Sequence, residues 1–414
     1  MSPCAGDDWA QRAEELDEQD PLAPFRDRFL APREDGLVAY LDGNSLGRPT
    51  RDVQERMAEF VTGAWGTRLI RGWTDEWMGW PEQTGDLLAS AALGAAAGQT
   101  VVADSTTVML YKLARAAVDA QQRHGRRTEI VLDTDNFPTD RYVLEGIADE
   151  RGLTLRWIEA DPAEGVHVEQ VEQIVGPETA LVVLSHVAYR SAWLADMAAI
   201  TRVAHDAGAL VLWDLCHSAG AVPVQLDACG VDLAVGCTYK YLNGGPGAPA
   251  FGYVRADLQD ALRQPIQGWM GRRDPFEMGP GYTPAAGIRG FVSGTPPIVG
   301  MVPVRAGAEL VAEAGIEAIR AKSVQLTRFV IDVADSWPAE LGVEVASPRA
   351  DDRRGGHVTV RRADFRDVNQ RLWQRGVIPD FREPDGIRIG LAPLSTSFGE
   401  TWRALEVLVE SARR

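Results

Sequence analysis

The 414 residues predict an α/β protein with a large, mostly parallel sheet domain and a smaller C-terminal α+β domain. Three observations carry that expectation. Five short apolar runs (129–132, 154–158, 180–184, 209–213 and 232–235) alternate with amphipathic helical stretches such as 141–150 and 197–207. Fully apolar strands separated by helices read as parallel strands buried on both faces. The pair Pro296-Pro297 then breaks the chain, and the pattern changes.

Taken in order, residues 1–48 form an N-terminal arm that joins the small domain and ends in the turn-rich Asp42-Gly43-Asn44-Ser45-Leu46-Gly47. Residues 50–97 carry helical periodicity interrupted by Gly and Trp clusters. The large domain is expected over 49–297. Residues 298–414 hold a long connecting helix, about 299–335, and then the α+β domain: strands at 343–346, 357–361 and 386–389, a helix at 365–375 and a final helix.

Composition narrows the function. Hydrophobic residues make up 45% and charged residues 24%, a globular balance, while the net charge of −17 disfavours nucleic acid and anionic membrane as partners. No apolar run is long enough to span a bilayer. Residues 1–20 are acidic and lack the order of a signal peptide, so a cytoplasmic location is expected. The four cysteines, Cys4, Cys216, Cys229 and Cys237, form no CxxC pair and have no histidine at ligand spacing, so no metal site is expected. Only Lys112, Lys240 and Lys322 are lysines among 42 basic residues, so a lysine beside a Gly-rich loop asks why an amine is needed there.

Ligands of open parallel sheets bind beyond the carboxyl ends of the strands. Four polar groupings fall at such ends. Asp104-Ser105-Thr106-Thr107 precedes a helix and is either a plain cap or an anion seat. Asp214 ends an apolar strand and either caps the next turn or pairs with a ring nitrogen. Lys240, in Gly236-Cys237-Thr238-Tyr239-Lys240-Tyr241-Leu242-Asn243-Gly244-Gly245-Pro246-Gly247, is a partly desolvated amine able to form a Schiff base. In Asn136-Phe137-Pro138-Thr139-Asp140, Phe137 is either a core ring or one that stacks on a cofactor. A strand-end Asp with a downstream Lys is the arrangement a pyridoxal phosphate enzyme needs. Neither a Rossmann nor a P-loop signature occurs.

Together with Tyr40-Leu41-Asp42-Gly43-Asn44-Ser45-Leu46-Gly47, Trp213-Asp214-Leu215-Cys216-His217-Ser218-Ala219-Gly220, Gly268-Trp269-Met270-Gly271 and Gly294-Thr295-Pro296-Pro297, these segments occur in an order that resembles the kynureninases. The resemblance runs from about residue 22 to the C-terminal helix. It implies a fold-type-I pyridoxal phosphate enzyme of aminotransferase class-V type, a homodimer with its active sites at the dimer interface. The implied reaction cleaves L-kynurenine or 3-hydroxykynurenine to anthranilate, or its hydroxy form, and L-alanine, as in tryptophan catabolism. It further implies that Lys240 holds the cofactor aldehyde, Asp214 pairs with the pyridinium nitrogen, and Phe137 stacks on the ring. Thr106, Thr107, Thr139, Asp140, Ser185, His217, Tyr239, Trp269 and Thr295 then surround the cofactor, and Tyr239 is the candidate acid/base. Arg388 matches the arginine that binds the substrate α-carboxylate, a task suited to a bidentate guanidinium. Trp73, Asn44 and Ser45 fall on the substrate side.

The chain departs from the family at Met270 and Arg272, where the relatives usually read Phe and His, and at Ser395, where a tyrosine is usual. Met109 and Ala188 each replace a common asparagine. Arg272 and Ser395 are therefore expected in the substrate pocket, and an alternative is the same chemistry on a ring-substituted kynurenine in secondary metabolism. Remoter alternatives are another fold-type-I enzyme, such as a cysteine desulfurase or aminotransferase, and a non-catalytic paralogue that binds pyridoxal phosphate or a metabolite.

Overall fold

A computed structural model describes residues 4–32, 36–125 and 127–413; parts of the arm, at 1–3 and 33–35, lie outside the described residues. After β1 (Ala39–Tyr40), the large sheet is built from β2 (Thr100–Ala103), β3 (Glu129–Asp133), β4 (Thr154–Ile158), β5 (Thr179–Ser185), β6 (Leu210–Asp214), β7 (Leu233–Gly236) and β8 (Ala250–Val254). Its order is β2-β8-β7-β6-β5-β3-β4. The five strands expected from the apolar runs form its parallel part, whereas β8 runs antiparallel to β7 and β2 antiparallel to β8. Sequence reading missed β2 and β8. The first has four residues and the second carries Gly252 at its centre, so neither shows a sustained apolar run.

Burial on both faces is visible along β5. Leu181 and Val183 belong to one core, and Val182 and Leu184 to the other. A strand's side chains alternate across the sheet, so a run that is apolar at every position has to be covered on both sides. Helices Thr106–His124 and Pro138–Arg151 lie on one face, and Met197–Asp206 and Ile298–Ala314 on the other.

The second sheet is antiparallel, with order β12-β13-β10-β9, from β9 (Glu344–Val345), β10 (His357–Arg361), β12 (Asp380–Arg382) and β13 (Gly386–Gly390). The short β11 (Val377–Ile378) pairs in parallel with β1 and so ties the arm to this part of the chain. The expected long helix at 299–335 is two helices, Ile298–Ala314 and Ile316–Asp335. Gly315 separates them at φ 78°, a conformation in which a glycine ends a helix at little cost and other residues are strained.

Two of the three lysines are structural. Lys112 is fully buried and donates to Asp104 Oδ2 at 2.8 Å and to the Phe291 carbonyl. Lys322, on the helix Ile316–Asp335, lies 2.7 Å from Asp20 Oδ2, with both side chains at most 2% exposed. Breaking a buried pair leaves an uncompensated charge. Lys322→Met is therefore expected to lower unfolding stability by about 3–5 kcal/mol, and Lys322→Met with Asp20→Asn to recover most of it. Chemical denaturation of the three proteins tests this. Equal stability of the single and double variants would show that charge compensation is not what the pair provides.

Candidate active site

The carboxyl ends of β5, β6 and β7 meet the N-termini of two helices in one pocket of about 530 Å³. Thr106, Thr107, Phe137, Thr139, Asp140, Ser185, Asp214, His217, Tyr239 and Lys240 line it, as do Tyr189 and Cys216. Ten of the residues expected around a cofactor are thus brought together from five separate segments. Tyr189 and Cys216 were missed. The only available signal was position, since each follows a strand end.

Local structure explains how these groups are held. Asp104 adopts φ 53° and Ser105 caps the 19-residue helix that follows, accepting from Val108 N–H at 3.4 Å. The buried Lys112 holds the Asp104 carboxylate, which leaves Thr106 and Thr107 on the first turn with hydroxyls and helix N–H groups toward the pocket. Asn136 is 2% exposed; its Oδ1 accepts from Phe137 N–H at 2.8 Å and from Ser185 Oγ at 3.1 Å, so one amide sets both residues. Trp213, fully buried, donates to Thr201 Oγ1 at 3.1 Å and anchors the end of β6. There Asp214 accepts from Cys216 N–H at 2.7 Å.

Asp214 and Asp140 are neighbours on the pocket wall. Burial, and then the neighbouring Asp214 and Asp133, push the Asp140 carboxyl well above the usual range. Asp140 therefore keeps its proton beside Asp214.

Lys240 sits in a turn pinned on both sides. Asn243 N–H donates to its carbonyl at 2.9 Å, and Gly244 N–H donates to the Thr238 carbonyl at 2.8 Å. Gly47 of the arm donates to the Tyr239 carbonyl at 2.8 Å, and a Cβ at Gly47 would collide with the Lys240 carbonyl. Unlike the other two lysines, Lys240 has no carboxylate partner among the described residues; its Nζ lies 2.9 Å from His217 Nε2. Burial first, then Lys240 and Arg388, hold the His217 imidazole well below its ordinary pKa, so the ring is neutral and can accept from the amine. Its Nδ1 has no protein partner.

Arg388 is 1% exposed and lies behind the Tyr189 wall. Its Nη1 donates to the Tyr189 carbonyl at 2.8 Å, and its Nη2 donates to Ser45 Oγ at 2.7 Å and lies 2.6 Å from Asp380 Oδ2. The Asn44 amide, oxygen toward Arg388, accepts from Nε at 3.1 Å. Asn44, Ser45 and Arg388 thus form one cluster, as their expected shared role requires.

The other expected residues lie outside this pocket. Trp269 is 41% exposed and Thr295 is also exposed, while Trp73 packs edge-on against Trp77 at 5.6 Å around a separate groove. Arg272 is turned into its own loop, pairing with Glu277 Oε2 at 3.0 Å and donating to the carbonyls of Asp274 and Glu277. Ser395 is buried in a turn closed by its N–H on the Ala392 carbonyl at 2.9 Å.

The fold resembles that of a cysteine desulfurase from Thermococcus onnurineus NA1, with TM-score 0.77, 19% identity and coverage of 96% of this chain and 98% of that one. The cysteine desulfurase CsdA of Escherichia coli superposes at TM-score 0.79, also with 19% identity, over 95% and 98% of the two chains. These likenesses establish the fold. The Kynureninase C-terminal domain model matches residues 319–408. A kynureninase of Pseudomonas fluorescens is 41% identical over 399 residues, covering 95% of this chain and 93% of the relative. The chain belongs to the kynureninase family. A kynureninase of Burkholderia pseudomallei, 43% identical over 397 residues with the same two coverages, agrees. In this kynureninase-family chain the similarity therefore extends well beyond the C-terminal domain, through Phe137, Asp214 and Lys240.

Proposed function

We propose that the chain hydrolyses the β–γ carbon bond of L-kynurenine or 3-hydroxykynurenine with pyridoxal phosphate, releasing anthranilate, or its hydroxy form, and L-alanine. The observation that carries this reading is the single pocket that holds Lys240 against a neutral His217, with Asp214 on its wall and Arg388 buried behind it. The cofactor fits the residues present. Lys240 would hold its aldehyde, Asp214 its ring nitrogen, Phe137 its ring face, and Thr106 with Thr107 at the helix N-terminus its phosphate. When bound, it supplies an electron sink for the bonds to the substrate α-carbon.

The chain's own groups do the rest. Arg388 takes the α-carboxylate, which orients the substrate along the pocket. The Lys240 amine, beside His217, moves the proton at the α-carbon. Burial, reinforced by the neighbouring Cys237 and Cys216, raises the pKa of Tyr239 well above that of a free tyrosine, so its hydroxyl stays protonated and serves as the donor for the later transfers. One water is consumed at the γ-carbonyl as the bond breaks.

The assembly that completes the site is read as a cytoplasmic homodimer. Trp269, Thr295 and Trp73 do not reach this chain's own pocket, and Val61, Trp65, Leu69, Ile70 and Val299 leave apolar surface exposed near Trp73. A second copy would cover that surface and bring Trp269 and Thr295 to its neighbour's cofactor. No helix among the described residues is long and apolar enough to cross a membrane.

The test is a competition on cofactor-loaded protein among L-kynurenine, 3-hydroxykynurenine and a ring-methylated analogue, with alanine and each anthranilate quantified by mass spectrometry. Alanine with one or more anthranilates is the expected result. A dominant ring-methylated product would favour a substituted substrate. No product from any of the three would overturn the hydrolase reading.

A further inference from the structure

The carboxylate seat at Arg388 is already full of negative charge. Asp380 Oδ2 lies 2.6 Å from Arg388 Nη2 and 2.7 Å from Arg382 Nε, so one carboxylate bridges two guanidiniums. Asp42, on the arm, stands further off, with Oδ1 3.9 Å from Arg388 Nη2, and the Asn44 amide nitrogen donates to that Oδ1 at 3.2 Å. The groups facing Asp42 are Arg388 on β13, Asp380 and Arg382 on β12, Tyr241 beyond the Lys240 turn, and Tyr40 with Arg48 on the arm itself. Two guanidiniums against two carboxylates leave the cluster balanced. A substrate carboxylate arriving there would add a third negative charge to a region where Arg388 is 1% exposed. Uncompensated charge in such a place is costly, and a titratable neighbour neutralises instead.

We propose that Asp42 is a positioning residue that takes up a proton as a substrate carboxylate seats on Arg388, so that the two events are linked. This rests on the reading of Arg388 given above and deepens it. Asp42 is the group that yields because Asp380 touches two arginines, at 2.6 and 2.7 Å, whereas Asp42 has its nearest arginine at 3.9 Å and is otherwise held by the neutral Asn44 and Ser45 side chains. Burial, with Asp380 adding to it, already lifts the Asp42 carboxyl to about 6, within reach of neutral solution. The sign follows. At pH above about 6 the resting Asp42 is ionised, and a second negative charge raises its proton affinity further. Carboxylate binding then draws a proton from solution, and affinity falls as pH rises, by up to about tenfold per pH unit. The Asn44 amide keeps its partner throughout, because a protonated Asp42 still offers a carbonyl oxygen.

The experiment is calorimetric titration of the holoenzyme with benzoylpropionate, which has the aroyl group and the carboxylate but no amine, and with its amide. Buffers of different ionisation enthalpy report the protons exchanged. In the parent protein, benzoylpropionate is expected to take up a proton fraction that the amide does not. Asp42→Asn and Asp42→Ala are expected to remove that uptake and to flatten the pH dependence of the Kd. In turnover, these variants should lose the pH dependence carried by KM while that of kcat persists. Uptake that is unchanged in both variants, or absent in the parent, would overturn the proposal. If acid and amide bind equally to an enzyme that turns over kynurenine, Arg388 is not the seat and the linkage falls, while the hydrolase reading stands. Proton uptake on benzoylpropionate binding in a protein that turns over no kynurenine would keep the linkage and overturn the hydrolase reading alone.

Discussion

Lys240→Ala is expected to lower the rate of kynurenine cleavage on the order of 10⁴-fold or more while leaving the protein folded. The chemical loss is double, since the variant lacks both the amine that would hold the cofactor aldehyde and the base that would move the α-proton. The structural loss is small for a reason specific to this site. Lys112 and Lys322 are buried and each pairs with a carboxylate, so removing either leaves a charge without its partner. Among the described residues the close polar partner of Lys240 is a neutral imidazole, which loses a hydrogen bond and nothing more. Thermal denaturation should therefore place Lys240→Ala near the parent, in contrast to Lys322→Met. Lys240→Arg keeps a positive charge but supplies no nucleophilic amine, and should be as inactive as the alanine variant. Absorbance of the loaded protein and steady-state rates check both. Residual activity within tenfold of the parent would remove Lys240 from the mechanism.

Arg388→Ala is expected to reduce kcat/KM for kynurenine by about 10²–10³-fold, mostly through KM, and to destabilise the chain as well. The guanidinium is the hub of Tyr189, Ser45, Asn44 and Asp380, contributed by the large domain, the arm and the second sheet. Removing it leaves Asp380 with Arg382 alone and brings two carboxylates together with less compensation. A stability cost of about 3–5 kcal/mol follows, the range for stranding a buried charge. The pH dependence has a definite sign. In the variant Asp42, already lifted to about 6 by burial, loses a cation that held it down and binds its proton more tightly in the folded state than in the unfolded chain, so the deficit grows as pH rises through about 6 and shrinks below it. Arg388→Lys keeps the charge but loses the fork, and should fall between the parent and the alanine variant on both measures. Urea unfolding at two pH values, with binding of benzoylpropionate, separates the effects. A stability deficit independent of pH would show that the carboxylates are not the cause.

Much of the fold was legible in the sequence. The five parallel strands could be read because burial on both faces makes every position apolar, a pattern that survives without any knowledge of neighbours. The two antiparallel strands could not. Val101 and Val102 are buried only because β8 brings Phe251 and Gly252 beside them from 150 residues away. The break at Gly315 was overlooked because the apolar periodicity continues across it.

The site divides in the same way. Strand-end Asp214, the Lys240 turn and the Thr106-Thr107 helix start each bear a local signature, and their order identified the family. Only the folded chain decided which of them face one another. It places His217 against Lys240, keeps Asp140 protonated beside Asp214, and turns Arg272 into a strut for its own loop. Residue types and their spacing are properties of a segment and can be read along the chain. Ion pairs, proton positions and the crowding of Asp42 and Asp380 on Arg388 depend on distances between segments hundreds of residues apart, and those exist only after folding.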